Sequence, residues 1–140
     1  MALSKKVFLA SSVYRAFIDR AHPKHDQASA YLRYFAEEEY YLFTDPSSLL
    51  DAYRQIYADV SPSLAKDFMR TMYLSTVNIL YSEERDYKAA LKTIVNYKST
   101  DLTFEKALMA VLCARRDITQ ICTFDYLHPL FGQSVFYLPI

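Results

Sequence analysis

Short, dense apolar runs alternate with helical stripes along the whole chain. Residues 6–10, Lys6-Val7-Phe8-Leu9-Ala10, form a brief and almost wholly apolar run, as expected of a strand covered on both faces. Ser11 and Ser12 follow at a helix-cap position, and Val13, Phe17 and Ile18 recur at helical spacing. His22-Pro23-Lys24-His25-Asp26 breaks that pattern. Asp26 is then read as the cap of a helix reaching Glu38, with Ala28, Tyr31, Leu32 and Phe35 as its apolar stripe. Residues 40–44 predict a second strand.

Asp45-Pro46-Ser47 carries turn and cap signals ahead of a helix with Leu49, Leu50, Tyr53, Ile56 and Tyr57 at helical spacing. Ser61-Pro62 opens another, marked by Leu64, Phe68 and Met72 and ending about Ser75. Residues 77–81 predict a third strand. Ser82-Glu83-Glu84-Arg85 starts a helix ending near Tyr97, whose buried stripe is expected to be Tyr87, Ala90, Leu91, Ile94 and Val95. After a polar connection over residues 98–102, Thr103 caps a helix with Phe104, Ala107, Leu108, Val111 and Leu112 on its inner face. Arg115 and Arg116 suit its negative C-terminal end. Residues 120–123 and 135–138 predict the last two strands.

Strands separated by helical segments call for an α/β architecture: a parallel sheet of four to five short strands with helices on both faces. Sites in such sheets form at the carboxyl ends of the strands. Ala10 and Asp125 follow strands directly, and Asp51 and Lys106 lie near the starts of helices entered from the same end, so all four are expected to share one cleft. At 140 residues the chain is read as a single domain, 1–140.

Charge changes the picture by exclusion. Sixteen basic residues balance sixteen acidic ones, so there is no broad positive field to gather nucleic acid, and any such contact must be local. The longest apolar runs, such as residues 107–113, are too short to cross a bilayer, and the start of the chain lacks a signal-peptide core; a cytoplasmic protein with no membrane role is expected. Cys113 and Cys122 lack metal-ligand or redox spacing and are read as reduced core residues. Gly132 is the only glycine, which excludes glycine-rich phosphate loops.

His22 and His25 have no third ligand nearby and read as a solvated loop. Ser11 and Ser12 lack a base and an oxyanion constellation, and read as caps. Tyr31, Tyr34, Tyr40, Tyr41, Tyr53 and Tyr57 read mostly as core, with any exposed subset suited to stacking on bases or to a protein interface. Taken singly, Asp51 and Asp125 are ordinary helix-start or loop carboxylates and Lys106 an ordinary exposed lysine.

In order, however, Val7-Phe8-Leu9-Ala10-Ser11-Ser12-Val13, the segment from Thr44 through Leu50-Asp51-Ala52-Tyr53, Leu102-Thr103-Phe104-Glu105-Lys106-Ala107-Leu108 and Thr123-Phe124-Asp125 resemble the segments of PIN domains. The resemblance spans nearly the whole chain, and by length the nearest group is the VapC-type toxins of toxin–antitoxin pairs. It implies a PIN-like three-layer α/β/α fold and metal-dependent RNA cleavage by four clustered acids. Asp51 and Asp125 match the second and fourth acids, whereas Ala10 and Lys106 stand where the first and third are expected.

The resemblance therefore implies a degenerate site whose four positions carry a formal charge of minus one instead of minus four: two from Asp51 and Asp125, offset by Lys106. Such a site would hold Mg²⁺ or Mn²⁺ weakly, if at all. The expectation is that the Lys106 ammonium pairs with Asp51 and Asp125 in place of metal. Glu105 is expected to reach the third position only if the helix turned by roughly 100°. Two readings stay open: a catalytically impaired protein that binds RNA, an antitoxin-like partner or a second copy of itself, with no cofactor; or an active Mg/Mn-dependent endoribonuclease using Asp51, Asp125 and Glu105.

Overall fold

The computed structural model describes residues 4–138. Along the chain lie β1 (Lys6–Leu9), α1 (Ser11–Ile18), α2 (His25–Glu37), β2 (Tyr41–Thr44), α3 (Pro46–Asp59), α4 (Pro62–Leu74), β3 (Asn78–Ile79), α5 (Glu84–Asn96), α6 (Phe104–Arg115), β4 (Gln120–Cys122) and β5 (Ser134–Val135). The strands form one sheet in the order β3-β2-β1-β4-β5, and every neighbouring pair is parallel. Phe8 on the central strand aligns with Phe43 on one side and Ile121 on the other.

Alternation along β1 divides the interior. Val7 and Leu9 join Val13, Phe35, Ile56 and Phe68 in a core with the first four helices, and Phe8 and Ala10 join Leu108, Leu112 and Ile121 in a core with the last two. The layers are α/β/α. α6 is buried on every side from Ala107 to Cys113, which accounts for its continuous apolar run.

Local chemistry sets most boundaries. Asp45, Ser61 and Thr103 cap α3, α4 and α6 by accepting the N–H groups of Ser48, Leu64 and Lys106, and prolines occupy the first turns of α3 and α4. Glu83 and Asp86 form a reciprocal capping box at the start of α5.

Several sequence expectations need correction. Lys24, not Asp26, precedes α2, and Asp26 lies in its first turn. Ala10 holds the cap position of α1, leaving the Ser11 and Ser12 hydroxyls for tertiary bonds. β3 and β5 are shorter than the apolar runs suggested. Of the expected α5 stripe, Ala90 and Ile94 pack inward, joined by Asp86 bound to Arg115 of α6, whereas Tyr87, Leu91 and Val95 are exposed. Phe104 is 37% exposed and stacks on Tyr87. Of the tyrosines, Tyr31 is buried, but Tyr41 and Tyr57 are exposed. Cys113 and Cys122 are buried free thiols, and burial pushes Cys122 up to about 12.

Candidate functional site

The strand order runs from β1 to β3 on one side and from β4 to β5 on the other, and in such a sheet a crevice opens outside the carboxyl ends of the two adjacent strands where the connections diverge. A cavity of about 230 Å³ lies there. Ala10 and Ser11 line it from the end of β1, Ser47, Ser48 and Asp51 from the start of α3, Thr103, Glu105 and Lys106 from the start of α6, and Thr123, Asp125 and Tyr126 from the segment after β4. All five residues singled out from the sequence, Ala10, Asp51, Glu105, Lys106 and Asp125, therefore surround one space.

Asp51 is held from two sides. Ser11 Oγ donates to Asp51 Oδ2 at 2.6 Å, and Gln55 Nε2, one turn along α3, donates to both carboxylate oxygens at 3.1 Å. Gln55 is steadied in turn by Arg15, whose guanidinium donates to Gln55 Oε1 at 3.4 Å and pairs with Asp59 at 2.8 Å. The Asp51 carboxylate thus accepts its hydrogen bonds from neutral protein donors, a hydroxyl and an amide.

Asp125 is positioned through its backbone. Ser12 Oγ accepts the Phe124 N–H at 2.9 Å and lies 3.2 Å from Thr123 Oγ1, which accepts the Asp125 N–H at 3.0 Å. This fastens the segment after β4 to the start of α1. The exposed carboxylate is left facing the cavity.

Lys106 forms no ion pair with Asp51 or Asp125, contrary to the sequence expectation. Its ammonium donates to the backbone carbonyl of Tyr126 at 3.4 Å, at the exposed rim. Glu105 reaches the same cavity without any rotation of α6. Both neighbours can do so because the helix meets the cavity at its N-terminal end, where consecutive first-turn residues fan around the opening.

Beneath this rim Asp45 is buried, with one oxygen capping α3 through the Ser48 N–H at 2.9 Å and the other unpartnered. Burial raises its carboxyl above the usual carboxylate range; the bonds to Ser48 work against that rise and the nearby Glu105 adds to it. Two residues of the site escaped the sequence analysis: Gln55, signalled only by its one-turn spacing from Asp51, and Tyr126, signalled only by its position after Asp125.

The donor set can be tested against the divalent cation that the resemblance implies. Ala10 offers no ligand, Lys106 brings a positive charge, and both Asp51 oxygens already accept hydrogen bonds. Among the described residues, no three His, Cys, Asp or Glu side chains cluster so as to hold a metal ion. Magnesium and manganese call for several oxygen ligands around one point, and these residues do not fit them.

No protein-family model matches the sequence, and no curated protein matches it. Among solved structures, the chain is similar to the crystal structure of VapC20 from Mycobacterium tuberculosis, a toxin that cleaves the sarcin–ricin loop. The TM-score is 0.75, with 90% of this chain and 92% of that chain covered at 18% identity. The likeness is one of fold, and the fold is PIN-like. No helix among the described residues is long and apolar enough to cross a membrane.

Proposed function

We propose that this chain is a PIN-like domain that has lost metal-dependent catalysis and holds RNA in the remaining cleft. The observation that carries this reading is the Ser11–Asp51–Gln55 arrangement, which satisfies one of the two retained acids, Asp51, with hydroxyl and amide donors. Lys106, brought to the cavity in place of an expected acid, supplies a positive charge for a phosphate where a carboxylate would repel it. By likeness to the sarcin–ricin loop cleaved by VapC20, RNA is the ligand class proposed. Ala10 and Lys106, set beside the retained Asp51 and Asp125, are the positions proposed to distinguish this cleft from a metal-binding one.

The test is Mn²⁺ calorimetry on the protein and on the double variant Ala10→Asp, Lys106→Asp, with RNA cleavage followed in the same samples. The expected result is metal binding and cleavage by the double variant alone. Mn²⁺ binding and RNA cutting by the unaltered chain would overturn the reading.

That second outcome has one observation in its favour. Glu105 lines the cavity beside Asp125, so an active endoribonuclease using Asp51, Asp125 and Glu105 with Mg²⁺ or Mn²⁺ is the competing reading. A protein partner belongs to either version. A cavity of about 690 Å³ between α1, α2, α4 and the β2–β3 edge, floored by Phe17, Leu32, Phe35 and Met72, has the size and apolar lining to take side chains of an antitoxin-like segment. Self-association in pairs is proposed through the exposed Tyr87, Leu91 and Val95 face of α5.

A further inference from the structure

We propose that Tyr126 is the stacking platform for one unpaired base of the RNA held in the cleft, an inference that rests on the RNA-binding reading above. Tyr126 is 67% exposed yet lines the cavity immediately beside Asp125. An aromatic ring left in solvent at the mouth of a cleft that also presents Asp51, Lys106 and Asp125 has lost the burial that ordinarily explains a tyrosine, while keeping a flat apolar face available.

The ring is also braced. Its centroid lies 5.0 Å from that of His128 at an interplanar angle of 82°, an edge-to-face contact that keeps the two ring planes nearly perpendicular. His128 is itself buried, with its ring 5.7 Å from Tyr97 in the same edge-to-face manner and Nε2 3.4 Å from Asp101. The support therefore reaches from the segment after β4 to the connection between α5 and α6. From the other side, Lys106 donates to the Tyr126 carbonyl and holds the backbone. A platform fixed in this way loses little conformational entropy when a base settles on it.

The pairing of Tyr126 with Lys106 defines the class of ligand. An ammonium beside the cavity takes a phosphate, and an adjacent aromatic face takes the base attached to it, the combination by which single strands are bound without sequence readout. A duplex would keep its bases stacked on one another and offer none to Tyr126. The expected ligand is therefore an unpaired nucleotide in a loop, a bulge or a single strand. Adenine, with the larger stacking surface, should be preferred to uracil.

The experiment is fluorescence anisotropy with short labelled oligoadenylate and oligouridylate, across a range of salt concentrations, on the full chain. Tyr126→Ala should weaken oligoadenylate binding about 5- to 150-fold, the range expected for one base–aromatic stack. It should also erase the preference over oligouridylate and leave the salt slope unchanged, whereas Tyr126→Phe should retain binding and preference. Lys106→Ala should instead flatten the salt slope by about 0.7, the contribution of one phosphate on a single strand. Tyr73→Ala, an exposed tyrosine on α4 outside the cleft, is the control for nonspecific loss. If the unaltered protein binds RNA and Tyr126→Ala binds it equally well with its preference intact, the platform is wrong and the RNA reading stands. If the unaltered protein binds neither oligonucleotide, the RNA reading fails and the platform fails with it. Loss of self-association in Tyr126→Ala, with RNA binding intact, would make the ring a protein contact and overturn the proposal.

Discussion

Asp45 carries two conflicting duties in a single side chain. One oxygen completes the first turn of α3, and the other is enclosed without a partner. Asparagine can perform the first duty without the buried charge. Asp45→Asn should therefore raise stability at neutral pH by about 1 kcal/mol, read as an upward shift in Tm. The pH dependence fixes the cause. A carboxyl raised in the folded state binds more protons there than in the unfolded chain, so stability falls as pH rises from about 4 through the folded pKa. The advantage of the variant should be absent in acid, grow through that window and stay level above it. A gain equal at all pH values would point to packing instead. At this scale the sequence was partly legible: Asp45, Ser61 and Thr103 are the caps that their residue types and spacing predicted. Ser11 and Ser12 differ from the expected caps because a serine after a strand serves equally well as a cap or as a tertiary partner: Ser11 donates to Asp51 and Ser12 accepts the Phe124 N–H, and only the approach of α3 and the segment after β4 decides between the roles.

At the level of elements, α5 is fastened to α6 by charge. Asp86, 2% exposed, receives Arg115 Nε at 2.9 Å and Nη2 at 2.7 Å, together with the Glu83 N–H at 2.8 Å. Burial opposes ionisation of Asp86, but the Glu83 N–H and the Arg115 guanidinium outweigh it and hold the carboxyl below the usual range. Asp86→Ala would leave the guanidinium half-enclosed and unpaired; a loss of about 3–5 kcal/mol in denaturant unfolding is expected. The acid limb should show the opposite sign to that of Asp45: this contribution is fully present above about pH 4 and disappears as pH falls through the lowered pKa. The same ion pair explains the misread face of α5. Tyr87, Leu91 and Val95 recur every four residues as a buried stripe would, but the docked face is set by Asp86, Ala90 and Ile94. Hydrophobic periodicity cannot anticipate a carboxylate made suitable for burial by an arginine almost thirty residues away.

For the whole molecule, the order of strands and helices carried most of the information. Dense runs separated by helical stripes implied a parallel sheet between two helical layers, and that layering brings Ala10, Asp51, Glu105, Lys106 and Asp125 to one cavity. Side-chain pairing within the cavity was not legible, because it depends on sub-helical rotations: Lys106 turns to a carbonyl, while Ser11 and Gln55 supply the contacts expected of it. The uncovered side of α5 is 55% exposed at Leu91 and 81% exposed at Val95, with the exposed Tyr87 one turn before Leu91. Sedimentation should show pairs of chains, and Leu91→Glu with Val95→Glu should release single copies that retain the helical circular dichroism. The Ser11–Asp51–Gln55 bonds also bear on how the cleft answers a fluctuating supply of ions. Many acidic clefts require dissolved cations to relieve their own repulsion, so their shape follows mineral nutrition and chelation. Here Ser11 and Gln55 supply the donors to Asp51 from the polypeptide itself, and the cleft should keep its form when magnesium is withdrawn.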